Sequence, residues 1–180
     1  MNARMPQHGL ARPRLAPLTE AFGRRSVTGR RVKVASRVLF VGFDGVLHPT
    51  VFEVEPVRME KVIGVDLFGW LPVLESLLRP HQDVAVVVHS NWRLTHDDEE
   101  LQLLLGRLGH RMLGSTTPGA RYEGIQQWLR ANPACTSHRI LDGDAADFPR
   151  PLPIELIVCD PDAGVTGNDV IAALRAWLAS

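Results

Sequence analysis

Polar side chains directly follow the apolar runs of this chain. They are Asp44 after residues 38–41, Ser90 and Asn91 after residues 84–88, Asp142 and Asp144 after residues 139–141, and Asp160 and Asp162 after residues 154–158. Carboxylate, hydroxyl and amide oxygens that converge on one place suit a divalent cation and a phosphate group. The pattern therefore favours a polar site built from the ends of several separate elements.

The apolar runs themselves have the length and composition of buried β-strands. Strands are predicted at residues 38–41, 84–88, 111–113, 139–141 and 154–158. The first of these runs, Val-Leu-Phe-Val, is apolar without interruption, as is typical of a central parallel strand that is buried on both faces. In an open parallel sheet the carboxyl ends of the strands lie at one edge, where ligands bind.

Amphipathic stretches between these runs predict the helices of an α/β fold. Apolar residues three and four positions apart mark three helical stripes and a closing helix at residues 168–178. The stripes are Trp70, Val73, Leu74, Leu77 and Leu78, then Leu101, Leu104, Leu105 and Leu108, then Ile125, Trp128 and Leu129, while the closing helix has Val170, Ile171, Leu174 and Trp177. This alternation predicts a mostly parallel sheet of about five strands flanked by helices.

The formal charge of zero conceals an uneven distribution along the chain. Residues 1–35 hold eight Lys and Arg against Glu20 alone, a balance of +7, so residues 36–180 carry twelve bases against nineteen acids, a balance of −7. The composition predicts a disordered basic tail over residues 1–35 and one domain over residues 36–180. A domain this acidic is a poor candidate for sequence-independent nucleic-acid binding, which depends on clustered Lys and Arg.

The cysteines and the hydropathy pattern lead us to expect a cytoplasmic protein. Cys135 and Cys159 lie in no CxxC or Cys/His pattern, which favours two reduced thiols over a zinc site or a redox pair. No run approaches about 18 consecutive apolar residues, so no membrane span is predicted.

Residues 39–49 resemble the first motif of the haloacid dehalogenase (HAD) phosphohydrolases, a hydrophobic strand followed by Asp-x-Asp-Gly-x-Leu. The matching residues are Asp44, Gly45, Leu47, His48 and Pro49 in that motif, Ser90–Arg93 after the second strand and Asp160–Gly164 after the last one. Together these segments are similar to the compact HAD domain of bacterial RNA-repair (Swiss Army Knife) proteins. The resemblance implies a Rossmann-like HAD fold with little or no cap.

The resemblance also implies a role for each candidate residue. In this family an aspartate attacks phosphorus and forms an aspartyl-phosphate that water then hydrolyses. Asp44 would act as general acid and base, Ser90 and Asn91 would contact the phosphate, and the catalytic cation Arg121 would neutralise its charge. Asp44, Asp142 and Asp144 would hold Mg²⁺. The implied substrate is a phosphorylated small molecule or a nucleic-acid end.

The chain departs from the family pattern at two glycines. Gly42 occupies the position of the nucleophilic aspartate, so an attacking group and a metal-binding carboxylate are both missing. Gly143 stands where the fourth motif commonly has a second acid, for which Asp144 can partly substitute. A shifted register that makes Asp44 the nucleophile leaves Val46 at the general-acid position and is rejected.

Two hypotheses about function follow from these departures. The first is a degenerate HAD domain, or pseudoenzyme, with weak or no phosphatase activity that keeps a phosphate- and Mg²⁺-binding cleft. The second is an active Mg²⁺-dependent phosphatase with a non-standard nucleophile that acts on nucleic-acid ends. Loss of a nucleophile removes orders of magnitude in rate when its helpers act as a unit, which favours the first hypothesis.

The same residues have structural interpretations that stay open at this point. Asp44-Gly45 can form a turn, and Ser90-Asn91 can cap the next helix. Arg121 can be a solvated residue of a first helical turn, and Asp142, Asp144 and Asp147 can form an ordinary acidic loop. Residues 50–68 alternate in hydropathy, which predicts a small β-hairpin flap where HAD proteins insert caps.

Overall fold

A computed structural model describes residues 35–50 and 66–180 of the chain, which form an α/β fold. Five strands form one parallel sheet in the order β3-β2-β1-β4-β5. They are β1 (Arg37–Val41), β2 (Val84–Val88), β3 (Met112–Ser115), β4 (Ser137–Asp142) and β5 (Leu156–Val158). The predicted parallel sheet is therefore confirmed.

The central strand β1 is buried on both faces, as its unbroken run of apolar residues predicts. Leu39 and Val41 pack into a core on one face of the sheet. Val38 and Phe40 pack into a second core on the opposite face. Because side chains alternate between the two faces of a strand, an uninterrupted apolar run can supply both cores at once.

Helices cover both of these cores. They are α1 (Leu71–Leu78), α2 (Asp98–Leu104), α3 (Arg121–Ala131) and α4 (Asn168–Leu178). The first, second and fourth helices bury their apolar stripes in the core that contains Leu39, while α3 buries Ile125 against the core that contains Phe40. The acidic start of α2 forms a capping box between Asp97 and Glu100, which satisfies two N–H groups of its first turn.

One predicted helix is shorter than its apolar stripe. The stripe from Leu101 to Leu108 predicts a single α-helix, but α2 ends at Leu104 and a 3-10 helix follows at Gly106–Arg111. Gly106 has a φ of +52°, a left-handed conformation that ends an α-helix. Leu105 and Leu108 remain buried all the same, so the apolar pattern was right about burial and wrong about helix type.

The last strand is also shorter than predicted. The sequence pattern places Ile154 within it, but this residue is 87% exposed and β5 begins at Leu156. The Leu156 N–H donates to the Pro153 carbonyl at 3.1 Å, so the preceding residues form a turn. Local apolar composition does not distinguish such a turn from the strand that follows it.

Two further predictions concern parts of the chain that lie outside the described residues. These parts are residues 1–34, which make up nearly all of the predicted basic tail, and residues 51–65, which hold most of the predicted β-hairpin flap. In the described ranges, no helix is long and apolar enough to cross a membrane.

The loop after β1 is held in place by backbone contacts from two other segments. The Trp70 N–H donates to the Leu47 carbonyl at 3.0 Å, and the Val165 N–H donates to the Val46 carbonyl at 2.9 Å. Gly164, with a φ of +52°, lies so close that a Cβ atom there would overlap the Trp70 ring and come within 2.6 Å of the Val46 oxygen. This contact fixes the loop that carries Asp44.

Gly164→Ala should lower the free energy of unfolding by about 3 kcal/mol, because overpacking adds to the cost of positive φ. Gly106→Ala is the matched control, since Gly106 has the same φ of +52° but its added Cβ would meet only the Glu75 and Leu71 side chains, at 3.2 and 3.5 Å. We expect the control to lose about 1 kcal/mol in urea denaturation. Equal losses for the two variants would contradict the close contact at Gly164.

Candidate functional site

The hydrogen-bond ladder of the sheet continues past the strand ends and aligns the loops that carry the candidate residues. The Gly42 N–H donates to the Leu141 carbonyl at 2.9 Å, and the His89 N–H donates to the Val41 carbonyl at 3.2 Å. The loops after β1, β2 and β4 therefore begin side by side at the carboxyl edge of the sheet. This is the edge at which open parallel sheets bind ligands.

The backbone at Gly42 does not require a glycine. Its φ lies outside the left-handed range, and a Cβ built there would be 3.2 Å from the Leu141 carbonyl oxygen and 3.5 Å from Val46 Cγ2. A shift of a few tenths of an ångström would accommodate it. Gly42, at the predicted position of the nucleophile, is therefore not required by its φ, and a side chain there would require a small movement of the Leu141 carbonyl.

Gly143, in contrast, is required by close packing. A Cβ there would lie 2.8 Å from both the Asp44 carbonyl oxygen and Gly45 Cα. Both are backbone atoms of the loop after β1, and Gly45 itself has a φ of +66°. A second acid at position 143 would therefore displace the loop that carries Asp44.

Arg121 is the first residue of α3, and its guanidinium contacts three carboxylates through three different nitrogen atoms. Nη1 donates to Asp142 Oδ1 at 2.9 Å, Nη2 to Asp144 Oδ2 at 3.2 Å and Nε to Asp147 Oδ2 at 2.8 Å. The Asp142 side chain is 2% exposed, whereas those of Asp144 and Asp147 are 61% and 46% exposed. Arg121 is thus not a solvated residue of the first turn, and these aspartates are more than an acidic loop.

The loop after β4 fixes the positions of its own carboxylates. The Asp144 N–H donates to Asp142 Oδ1 at 2.9 Å, and the Ala146 N–H donates to Asp144 Oδ1 at 2.8 Å. These bonds turn the chain so that three acidic side chains face Arg121. The arrangement is held by backbone donors as well as by the guanidinium.

Asp142 and His89 form a buried pair beneath this loop. Burial raises the pKa of Asp142 to about 6, against the opposing attraction of Arg121. Burial also lowers the pKa of His89 to about 3, so this imidazole is neutral. Its Nε2 lies 3.1 Å from the Leu141 carbonyl oxygen, which can only accept, so Nε2 carries the proton and Nδ1 faces Asp142 Oδ2 at 3.6 Å.

Asp44 is positioned by a tryptophan from the loop after β2. The Trp92 indole N–H donates to Asp44 Oδ2 at 3.1 Å. The same ring packs edge-on against Phe43 and Phe68, with centroids 5.9 and 5.5 Å away, and stacks on His96. Aromatic packing thus fixes the position of a hydrogen-bond donor to this carboxylate.

Asn91 is the first residue of a 3-10 helix at Asn91–Leu94, and Ser90 is its N-cap. Its hydroxyl accepts from the Trp92 N–H at 3.4 Å, as the capping interpretation predicts. Ser90 is buried, while Asn91 is exposed and its Oδ1 lies 3.4 Å from Arg93 Nη1. Arg93 is itself buried and donates to the carbonyls of His89, Ser90 and Gly119, which ties two loops together.

The predicted Mg²⁺ ligands do not meet as a group. Among the residues that the structure describes, no three His, Cys, Asp or Glu side chains are placed to hold a metal ion. Asp142 and Asp144 both contact Arg121, while Asp44 accepts from Trp92. Their metal role therefore stays a prediction from the resemblance.

Sequence reasoning missed three contacts at this edge. The sequence pattern assigned no role to His89 and identified Trp92 and Arg93 only as part of the matching segment Ser90–Arg93. Their place directly after β2 was a signal that they lie near the site. Which atoms they contact depends on side-chain direction, which spacing along the chain does not provide.

The fold and this polar edge define a Rossmann-like α/β domain of the HAD phosphohydrolase type. The model of the family described as HAD domain in Swiss Army Knife RNA repair proteins matches residues 38–170, well over half of the chain, and the chain belongs to this family. The resemblance stated from the sequence is thereby confirmed. No curated protein and no solved structure matches the chain. HAD domains generally use Mg²⁺.

The raised pKa of Asp142 predicts a specific pH dependence of stability. In the unfolded chain this group titrates near 3.8, and in the folded chain near 6, so the native state binds more protons between these values. The protonated carboxyl thus contributes its full share to the free energy of unfolding below about pH 4, and this share is lost as the pH rises through 6. The lowered pKa of His89 acts in the opposite direction. The neutral imidazole contributes its full stabilisation above pH 6.5, and this stabilisation is lost as the pH falls toward 3.

The variant Asp142→Asn separates the effect of the Asp142 carboxyl on the pH dependence of stability from the effect of His89. In urea denaturation with EDTA, the free energy of unfolding of the natural chain minus that of the variant should be about 2 kcal/mol larger at pH 4.5 than at pH 7.5. A difference that is constant, or larger at pH 7.5, would contradict a protonated Asp142 in the folded chain.

Proposed function

We propose that this chain is a HAD-like domain that has lost covalent phosphoryl transfer and binds a phosphorylated ligand. The observation that carries the proposal is Gly42, which lacks a nucleophile at a position where the backbone accepts a side chain. The one nucleophilic side chain among the three groups nearest to the missing Cβ is His89, 3.7 Å away. His89 is fully buried, so it is not placed to replace an attacking carboxylate.

Arg121 is the group best placed to hold a phosphate in this proposal. Its contacts with Asp144 and Asp147 involve exposed carboxylates, and exposed ion pairs contribute little to stability. A phosphate dianion can replace them, because charge-assisted bonds from a guanidinium to phosphate are strong and geometrically matched. Asp142 would remain bound to Arg121, since a buried carboxylate is costly to leave unpaired.

A nucleic-acid end is the proposed source of that phosphate. The family that the chain belongs to is named for RNA repair proteins, and residues 36–180 have a charge balance of −7. An acidic domain gains little from the sugar-phosphate backbone, so a terminal phosphate held by one arginine would dominate recognition. We propose Ser90 and Asn91 as further contacts to the phosphate. We also propose that the protein works in the cytoplasm.

The natural chain should show no phosphatase turnover of a generic aryl phosphate with Mg²⁺. Its rate should equal that of Asp44→Asn, because no aspartyl-phosphate can form without a carboxylate at position 42. Turnover by the natural chain that Asp44→Asn abolishes would overturn the proposal and favour an active phosphatase with a non-standard nucleophile.

The phosphatase turnover of Gly42→Asp, compared with that of Gly42→Ala, shows whether this edge departs from a working HAD site at positions other than 42. Both variants add the same Cβ, so they differ only in the carboxylate. We expect no gain of turnover from the aspartate, because Gly143 and the carboxylates around Arg121 also depart from a working site. A gain would show that the nucleophile alone was lost.

Phosphate binding is tested with short RNA oligonucleotides that carry a 5′-phosphate, a 3′-phosphate or two hydroxyl ends. By fluorescence anisotropy in EDTA, one phosphorylated form should bind about tenfold more tightly than the hydroxyl form. Arg121→Gln should remove this difference, while Asp144→Asn combined with Asp147→Asn should enlarge it by freeing the guanidinium.

Arg130→Gln is the matched control, since Arg130 is an exposed cation in the last turn of the same helix. It should leave the preference for the phosphorylated end unchanged. Equal binding of all three oligonucleotides, or equal losses in Arg121→Gln and Arg130→Gln, would contradict an end-phosphate site at Arg121.

A further inference from the structure

We propose that the guanidinium of Arg121 is the resident cation of this edge, and that it takes the place of a divalent metal ion in the natural chain. The inference concerns the cation alone and is independent of whether a phosphorylated ligand binds. It reconciles a family that generally uses Mg²⁺ with an acidic edge whose carboxylates converge on an arginine.

The guanidinium of Arg121 contacts three carboxylates of the loop after β4. Each of its three nitrogen atoms donates to a different aspartate, at distances of 2.8–3.2 Å. The three partners are Asp142, Asp144 and Asp147. A Mg²⁺ ion requires oxygen ligands at about 2.0–2.1 Å in an octahedral arrangement. Two of these carboxylates could reach such distances only if the guanidinium moved away from them.

Burial of Asp142 explains why a cation is needed here. Its Oδ2 atom is buried and has no hydrogen-bond partner among the described residues, and His89 Nδ1 lies 3.6 Å from it. A carboxylate removed from water requires a compensating positive charge. Arg121 supplies that charge covalently, so no ion has to be captured from solution.

The two glycines remove the ligands that would favour a metal over the arginine. Position 42 offers no carboxylate, and an acid at position 143 would displace the Asp44-Gly45 backbone. The loop after β4 is nevertheless shaped by its own backbone donors, from the N–H groups of Asp144 and Ala146. The acidic side chains should therefore stay together when the guanidinium is removed.

Arg121→Gln should consequently create a divalent-cation site that the natural chain lacks. In Mn²⁺ titrations followed by electron paramagnetic resonance on the full chain, the natural protein should show no saturable site. Arg121→Gln should bind one Mn²⁺ at least about tenfold more tightly than the natural chain. Mg²⁺ should raise the melting temperature of Arg121→Gln and leave that of the natural chain unchanged, since only a ligand that binds the native state stabilises it.

Two further variants control for charge and assign the ligands. Arg37→Gln removes another paired cation, whose partner Asp83 lies 3.2 Å away, and should create no site because a single carboxylate remains. Arg121→Gln combined with Asp142→Asn should lose the new Mn²⁺ site.

The titration of the natural chain decides the proposal even if Arg121→Gln does not fold. Saturable binding of one Mn²⁺ or Mg²⁺ to the natural chain, lost in Asp142→Asn, would overturn it. So would an Arg121→Gln protein that is folded by circular dichroism and still binds no Mn²⁺.

Discussion

A carboxylate buried at the end of a central sheet strand is the interaction on which this edge of the molecule depends. Asp142 ends β4, next to the central strand, with a side chain that is 2% exposed. When such a group is ionised it requires a positive partner, and Arg121 supplies it from the first turn of α3. This pairing connects the first residue of α3 to the end of β4. It also draws Asp144 and Asp147 into the same ion-pair network.

The glycines of the site differ in physical kind, although they look alike in the sequence. Gly143 and Gly164 lie against backbone atoms of the loop after β1, where any side chain would displace that loop. At Gly42 the nearest backbone atom, the Leu141 carbonyl oxygen, would be 3.2 Å from an added Cβ, so the contact is less close. The molecule therefore has the close packing that shapes this loop, while the loss of the reactive group at position 42 is what we propose from the resemblance. Preserved geometry is thus no measure of preserved chemistry.

The sequence predicted the elements whose patterns reflect burial and failed where backbone conformation decides. The bounds of β2 and α4 match the apolar pattern, whereas the end of α2 depended on the positive φ of Gly106. At the site, position along the chain placed Arg121 and the acids at the correct edge. The pairings of Arg121 with three acids and of Trp92 with Asp44 depend on side-chain direction and three-dimensional distance. Spacing in one dimension does not contain that information.

An arginine and a magnesium ion balance the same carboxylates with different chemical consequences. Mg²⁺ carries two charges and can bind phosphate oxygens directly, which stabilises the charge that develops during phosphoryl transfer. A guanidinium carries one charge, delocalised over three nitrogens, each of which already donates to a carboxylate here. In the proposals made for this edge, it would neutralise the carboxylates without a metal and exchange its exposed partners for a phosphate. A single charge that remains shared with Asp142 gives less stabilisation to a transition state. The two proposals, a glycine in place of the nucleophile and an arginine in place of the metal, therefore point in one direction, toward a site that would hold a phosphate without transferring it.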